Sequence, residues 1–287
     1  MDRAEGLAPS APGAELPLKT RAGVLPRTRR RLQSLGNWLE LIRNLAVRDV
    51  ETRYKHSLLG LYWTIINPLV TAAIFGFVFG VIFHASSKPI PYVVFVLCNL
   101  TFWNFFANAI MSATASVTGN SSLLAKIYFP RVVLPTAAVL ARFIDFGFSL
   151  LVLGIIILIY HVGIYMTAPA VVGLLVIQLA FTLGFGYVVA ALNVLYRDVT
   201  QLVGLLMMVW MYVSPVMYRI DGVSSAIQSL LLLNPMGVLI ESERNLIFRG
   251  RLLYPEYIWL ALAMTAFVFL AGLLLFKKIE PLFAEVM

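Results

Sequence analysis

Asp198–Arg219 reads DVTQLVGLLMMVWMYVSPVMYR, with 20 uncharged residues held between one acid and one arginine. A hydrocarbon core of ~30 Å takes about 20 helical residues per crossing, so this run predicts one membrane span stopped by charge at both ends, over 199–218. Glu256 and Lys277 enclose a second run of 20 uncharged residues, predicting a span over 257–276. The remaining charge-free runs place spans at about 58–83, 90–117, 132–160 and 170–195, with Pro68 inside the first expected to kink its helix without ending it. With 60% apolar and 13% charged residues among 287, against roughly 25% charged in soluble domains, there is too little polar surface to solvate a core. The fold class expected is an all-α membrane protein of six transmembrane helices.

The segment 219–255 is short of apolar length, carries Ser224, Ser225, Gln228 and Ser229, and is broken by Asn234-Pro235. It reads as a re-entrant hairpin between spans five and six, on the extracytoplasmic side. Of the 22 Lys and Arg residues, 16 fall on the side of both termini, five on the other, and Arg142 lies within span three. The excess of positive charge puts the termini in the cytoplasm. Residues 1–36, rich in Ala, Pro, Gly and Arg without hydrophobic periodicity, read as a disordered basic tail. From 37 to 56, Leu41, Ile42, Leu45 and Ala46 share one helical face, and Glu40, Arg43, Asn44 and Arg48 share the other. That pattern predicts an amphipathic helix at the membrane interface, its basic side chains toward anionic headgroups.

Ionisable groups inside lipid cost ~2.5–3.5 kcal/mol each at a helix centre on insertion scales, so they mark function or are neutralised. Arg142 and Asp145, spaced i, i+3, can meet on one helix face as an intramembrane ion pair. No further acid or histidine stands at midplane to extend them into a proton relay. The 14 acids are scattered, the three histidines sit at span ends, and Cys98 is the single cysteine. Metal chemistry, lipid-phosphate hydrolysis and disulfides are therefore not expected, and no metal site is assigned. After Gly119, the sequence NSSLLAK lacks the second glycine of a phosphate-binding loop, so no cofactor is expected in this chain. The aromatic residues cluster: Phe102, Trp103, Phe105 and Phe106 in span two, Trp210 and Tyr212 in span five. They suit either a lipid-interface belt or a conduit in which rings pack on sugar faces.

Several segments taken in order resemble the membrane permease subunits of bacterial ABC exporters for polysaccharides and polyol phosphates, the O-antigen and teichoic-acid type. They are Arg53-Tyr54-Lys55 leading to LLGLYW at 58–63 with Asn67-Pro68, LLAKIYFPRVVLP at 123–135, NVLYRDV at 193–199, Ser214-Pro215-Val216, Leu233-Asn234-Pro235 and EPLFAEV at 280–286. The resemblance implies a homodimer in the bacterial inner membrane, each copy resting on a separate ATPase subunit that holds ATP and magnesium, and moving a lipid-linked glycan. It implies a coupling loop, 118–131 here, with Leu124, Lys126, Ile127, Tyr128, Phe129 and Arg131 as candidate contacts to the ATPase. It makes Arg48, Arg53, Tyr54 and Lys55 candidates for receiving the substrate's charged head. Tyr62, Phe102, Trp103, Phe106, Trp210 and Tyr212 become candidate channel-lining residues. A secondary carrier would show paired broken helices in two corresponding halves, and a glycan-modifying enzyme would show an acid or histidine cluster; the sequence shows neither.

Overall fold

The computed structural model describes residues 27–55, 60, 62–82, 84, 90–124 and 129–283, with the backbone alone for 27–37 and 72. Ten helices follow one another among the described residues, with no strand: α1 Arg27–Tyr54, α2 Tyr62–Phe75, α3 Tyr92–Ser116, α4 Ser121–Leu124, α5 Val133–Ile159, α6 Val171–Leu195, α7 Val199–Val213, α8 Ser225–Leu232, α9 Pro235–Phe248 and α10 Pro255–Ile279. α1 begins at Arg27, inside the stretch read above as a disordered tail. The run RTRRRLQSL contains no glycine or proline, and Arg, Leu and Gln are good helix formers. α2 runs through Pro68 and passes into a π-helical stretch at Gly76–Ile82.

Among the described residues, five helical stretches are long and apolar enough to cross a membrane: Tyr62–Ile82, Tyr92–Ser116, Val133–Ile159, Ala168–Leu195 and Pro255–Leu282. The run that opened the sequence reading differs. α7 has 15 residues, about 22 Å at 1.5 Å per residue, which is less than a full crossing. The apolar run continues past the helix, but Pro215 supplies no N–H donor, and Ser214 turns extended at φ −91° and ψ 147°. Asn99 on α3 donates to the carbonyls of Pro215 and Val216 at 3.3 and 2.9 Å, fixing the turn among the helices.

α3 is the central post. Phe95, Leu97, Phe102, Phe106 and Ile110 are fully buried, and α2, α5, α6, α7 and α9 all pack on it. α6 and α10 cross where Gly184 faces Gly272. A Cβ on Gly272 would lie 2.2 Å from the Gly184 carbonyl oxygen, and one on Gly184 would lie 2.5 Å from Phe269 Cα. Backbones this close need residues without side chains, as small-residue helix pairs do in membranes. Tyr187 lies beside the crossing, near Phe269 and Phe276 with ring centroids 6.0 and 6.1 Å away.

α8 and α9 adjoin at Leu233–Asn234. Asn234 is the N-cap of α9: its Oδ1 accepts from Met236 N at 3.1 Å and from Trp210 Nε1 at 2.9 Å, and its Nδ2 donates to Ser214 Oγ at 2.8 Å. Every α9 residue from Met236 to Phe248 is buried. The helix ends against Gly250, whose φ of +68° and 2.6 Å Cβ clearance to Tyr165 Cδ1 admit only glycine.

Candidate functional site

The inward face of α1 packs Leu45 and Ala46 on Val133, Leu134, Ala137 and Ala141 of α5, with Leu41, Ile42 and Val50 alongside. Beyond that apolar seam, charges from both helices converge. The Arg53 guanidinium bonds both Asp49, one turn back, and Asp145 of α5. Asp145 also accepts from Tyr54 Oη at 2.9 Å and from Arg142 Nη1 at 3.3 Å, and Arg142 Nε reaches Ser112 Oγ at 2.7 Å. Burial first, and then the bond to Asp145, push the Tyr54 phenol above its ordinary value. The i, i+3 pair of the sequence is thus one edge of a larger network. Arg53 and Tyr54, candidates for the substrate head, instead tie α1 to α5. Arg48 bonds Asn120, and Lys55 is exposed.

The candidate coupling residues divide three ways. Lys126, Ile127 and Tyr128 lie outside the described residues. Leu124 and Phe129 are half-buried and turn their apolar surface onto the seam between α1 and α5, so part of the surface expected to be open is covered by this chain. Arg131 is directed to the end of α10: its backbone N–H donates to Glu280 Oε1 and its Nη1 to the Glu280 carbonyl, both at 2.9 Å, with the guanidinium 5.6 Å over the Phe283 ring.

The aromatic candidates require a correction. Phe102 and Phe106 are fully buried and Trp103 is 2% exposed within this single chain, so a further subunit has no surface of theirs left to share. They are core, not channel lining. Phe106 stacks on Phe181 at 5.8 Å and meets Trp210 edge-on at 5.3 Å, while Phe102 packs on Phe146 at 5.7 Å. Trp210, half-buried in the same cluster, gives its N–H to Asn234. Tyr62 and Tyr212 are 67% and 57% exposed and alone keep an open face.

Sequence reasoning missed the buried charges of α9. Glu241 and Arg244 form a salt bridge with side chains 1% and 5% exposed. Asn245 donates to Glu241 Oε1 at 2.9 Å, and the Arg244 guanidinium lies 4.6 Å over the Phe95 ring. Both Glu243 carboxylate oxygens are buried without a hydrogen-bond partner among the described residues, and burial pushes this carboxyl well above the usual range. The signal was the pairing of acid and arginine at i, i+3 in ESER (241–244), read there as part of a polar hairpin. At the mouth of α9, burial alone would raise Asp221, but the hydrogen bonds from Arg219 and Arg249 outweigh it and hold its carboxyl below the ordinary value.

A family model described as ABC-2 type transporter matches residues 40–248. The O-antigen export system permease protein RfbA of Myxococcus xanthus is 30% identical over 264 residues, covering 89% of this chain and 98% of its own. A Klebsiella pneumoniae protein of the same name is 29% identical over 256 residues, covering 88% and 97%. The polysialic acid transport protein KpsM of Escherichia coli is 20% identical over 211 residues, covering 72% and 80%. The family match runs from within α1 to the end of α9 and so includes the charged network, the central post and the buried helix α9: this chain belongs to the ABC-2 type transporter family.

Proposed function

We propose that this chain is the permease subunit of an ATP-driven exporter that moves a lipid-linked, O-antigen-like polysaccharide from the cytoplasmic leaflet across the bacterial inner membrane. The observation that carries the reading is that relatives named for O-antigen export match over nearly their whole length and most of this chain. ATP and magnesium belong to a separate nucleotide-binding subunit, and this chain contributes the path. Its termini lie in the cytoplasm, as the distribution of Lys and Arg supports. α7, completed by the buried segment after it, is the fifth of six crossings in chain order, and α8–α9 is a re-entrant hairpin dipping from the outer face. Irregular backbone is tolerated at that depth where protein surrounds it, and the bonds of Asn99 and Asn234 support the placement.

Two copies pair with Leu202, Leu205, Val209 and Tyr212 of α7 at their junction; these form an exposed apolar row. Tyr62 and Tyr212 are the rings left to touch a passing glycan. The segment 118–131 receives the ATPase and passes its movement to α10 through Arg131. A ligand shifts a conformational equilibrium only through differential affinity for its states, so nucleotide in the partner acts by changing how that segment is held. Depleting this chain in its host and locating the lipid-linked glycan tests the proposal. Accumulation on the cytoplasmic leaflet with loss at the surface is the expected result; unchanged surface glycan overturns it.

A further inference from the structure

Between α1, the last turns of α3 and the start of α5 lies a cavity of about 550 Å³, within the ~300–1,000 Å³ range of small-molecule pockets. Its polar wall is Arg48, Thr52, Ser112, Ser116, Asn120 and Arg142; Asp49 also lines it, and Leu45, Met111, Leu134 and Ala138 make an apolar wall. The charges do not cancel. Asp49 and Asp145 stand against Arg48, Arg53 and Arg142, and both acids are bonded to Arg53, which leaves one positive charge uncompensated. Arg142 uses Nε on Ser112 and Nη1 on Asp145, and its Nη2 has no hydrogen-bond partner among the described residues.

A guanidinium within a lipid-spanning helix is costly unless an anion or water meets it, and guanidinium groups pair with phosphate through several directed hydrogen bonds. The Ser112 hydroxyl, which accepts from Arg142, adds a donor on the same wall, whereas that of Ser116 is already given to the Ala113 carbonyl. The volume is far larger than a single ion needs, and the apolar wall suits hydrocarbon next to the charged group.

We propose that this cavity is a binding site for the phosphate headgroup of a lipid, held by Arg142 and Arg48. The assignment rests on the export reading only for its source: a glycan-bearing carrier lipid or a bilayer phospholipid presents the same chemistry. It moves the site for the charged head away from Arg53, bonded to two aspartates, and from Lys55, which does not line the cavity, to an open-mouthed cavity lined by three helices of one chain.

The test uses the full chain with its ATPase partner in phosphatidylcholine nanodiscs. Binding of geranylgeranyl diphosphate, phosphatidylglycerol and inorganic diphosphate is measured for Arg142→Gln, Arg48→Gln and Ala115→Phe. Ala115 is exposed and lines the cavity, so the phenyl ring fills it without removing a charge, and this variant still tests the site if Arg142→Gln does not fold. Each variant is expected to weaken lipid binding at least about tenfold, the two arginine variants through loss of a charged hydrogen bond and Ala115→Phe by occupying the space, while Arg249→Gln at the opposite end leaves it unchanged. Preference for geranylgeranyl diphosphate identifies the carrier lipid as the ligand, and equal binding of phosphatidylglycerol identifies bilayer phospholipid. Unaltered lipid binding in all three variants overturns the site, as does inorganic diphosphate binding as tightly as either lipid. Surface glycan, scored separately in cells, reports on the export reading: its loss on depletion of the chain, alongside unaltered binding in the variants, overturns the site alone.

Discussion

Arg131 holds Glu280 twice, through its backbone N–H to the carboxylate and through its guanidinium to the carbonyl, both at 2.9 Å. The two residues are 149 positions apart, and the contact joins the proposed ATPase-receiving segment to the end of the last long helix. Both side chains are half-buried, so the bonds are partly sheltered from water.

Replacing Glu280 by Ala removes the acceptor for the Arg131 amide and leaves the carbonyl contact. A hydrogen bond of this kind contributes ~1–2 kcal/mol, too little to unfold the chain. The expected outcome is a permease that inserts and assembles normally, with ATP hydrolysis by the complex persisting while glycan export falls several-fold. Paired measurements of ATPase rate and surface glycan check it; export at the normal rate removes Arg131 from the path of coupling.

Phe106→Ala is expected to destabilise the chain by ~3–5 kcal/mol, as truncation of a buried aromatic does, and to lower the unfolding temperature in detergent together with yield. Tyr212→Ala, at an open face, leaves that temperature within a degree or two and slows export. If Phe106→Ala keeps its stability and loses only transport, the ring lines a path and its placement in the core is wrong.

Gly272→Ala drives a methyl group into the Gly184 carbonyl, a backbone atom that no rotamer change relieves. The cost expected is at the upper end of the ~1–3 kcal/mol seen for overpacking, read as a lower unfolding temperature. Gly147→Ala on α5 meets nothing within 4 Å and is expected to stabilise by about 0.5–1 kcal/mol from helix propensity. Equal behaviour of the two would show that α6 and α10 are not in contact at this point.

Glu243→Gln carries a pH prediction. Burial raises the folded-state pKa of Glu243, so above the ordinary carboxylate value of about 4.3 the unfolded chain holds fewer protons than the folded one. The chain's stability therefore falls as pH rises through that window, and glutamine is free of the penalty. Thermal unfolding at pH 8 is expected at a higher temperature for the variant, with the gap closing near pH 4. A gap that is the same at both values would mean that folding leaves the Glu243 carboxyl unshifted, and a variant less stable relative to the parent chain at pH 8 than at pH 4 would mean that Glu243 is charged and paired.

The helical membrane character was legible because charge-free runs report hydrocarbon thickness directly. The same rule overextended α7: charge spacing cannot see that Ser214 and Pro215 leave the helix while the sequence stays apolar. The i, i+3 relation of Arg142 and Asp145 was readable from helical geometry, but Arg53 lies 92 residues from Asp145, and nothing in local spacing announces such a partner. Phe102, Trp103 and Phe106 were assigned to a channel because composition identifies a ring but not the direction it faces. Glu241, Glu243 and Arg244 were placed in a re-entrant hairpin without being singled out, because the residues that Arg244 meets, Phe95 and Asn99, come from another helix.

The crossing of α6 and α10 at Gly184 and Gly272 has a mechanical consequence. Two helices in backbone contact resist both sliding and splaying, so together they behave as one stiff beam. Arg131 grips that beam at one end through Glu280. Under the proposed coupling, a push delivered there is carried along the beam toward the buried helix α9, which packs against both α6 and α10. In such an arrangement the glycines, usually counted as points of give, are where two backbones brace each other.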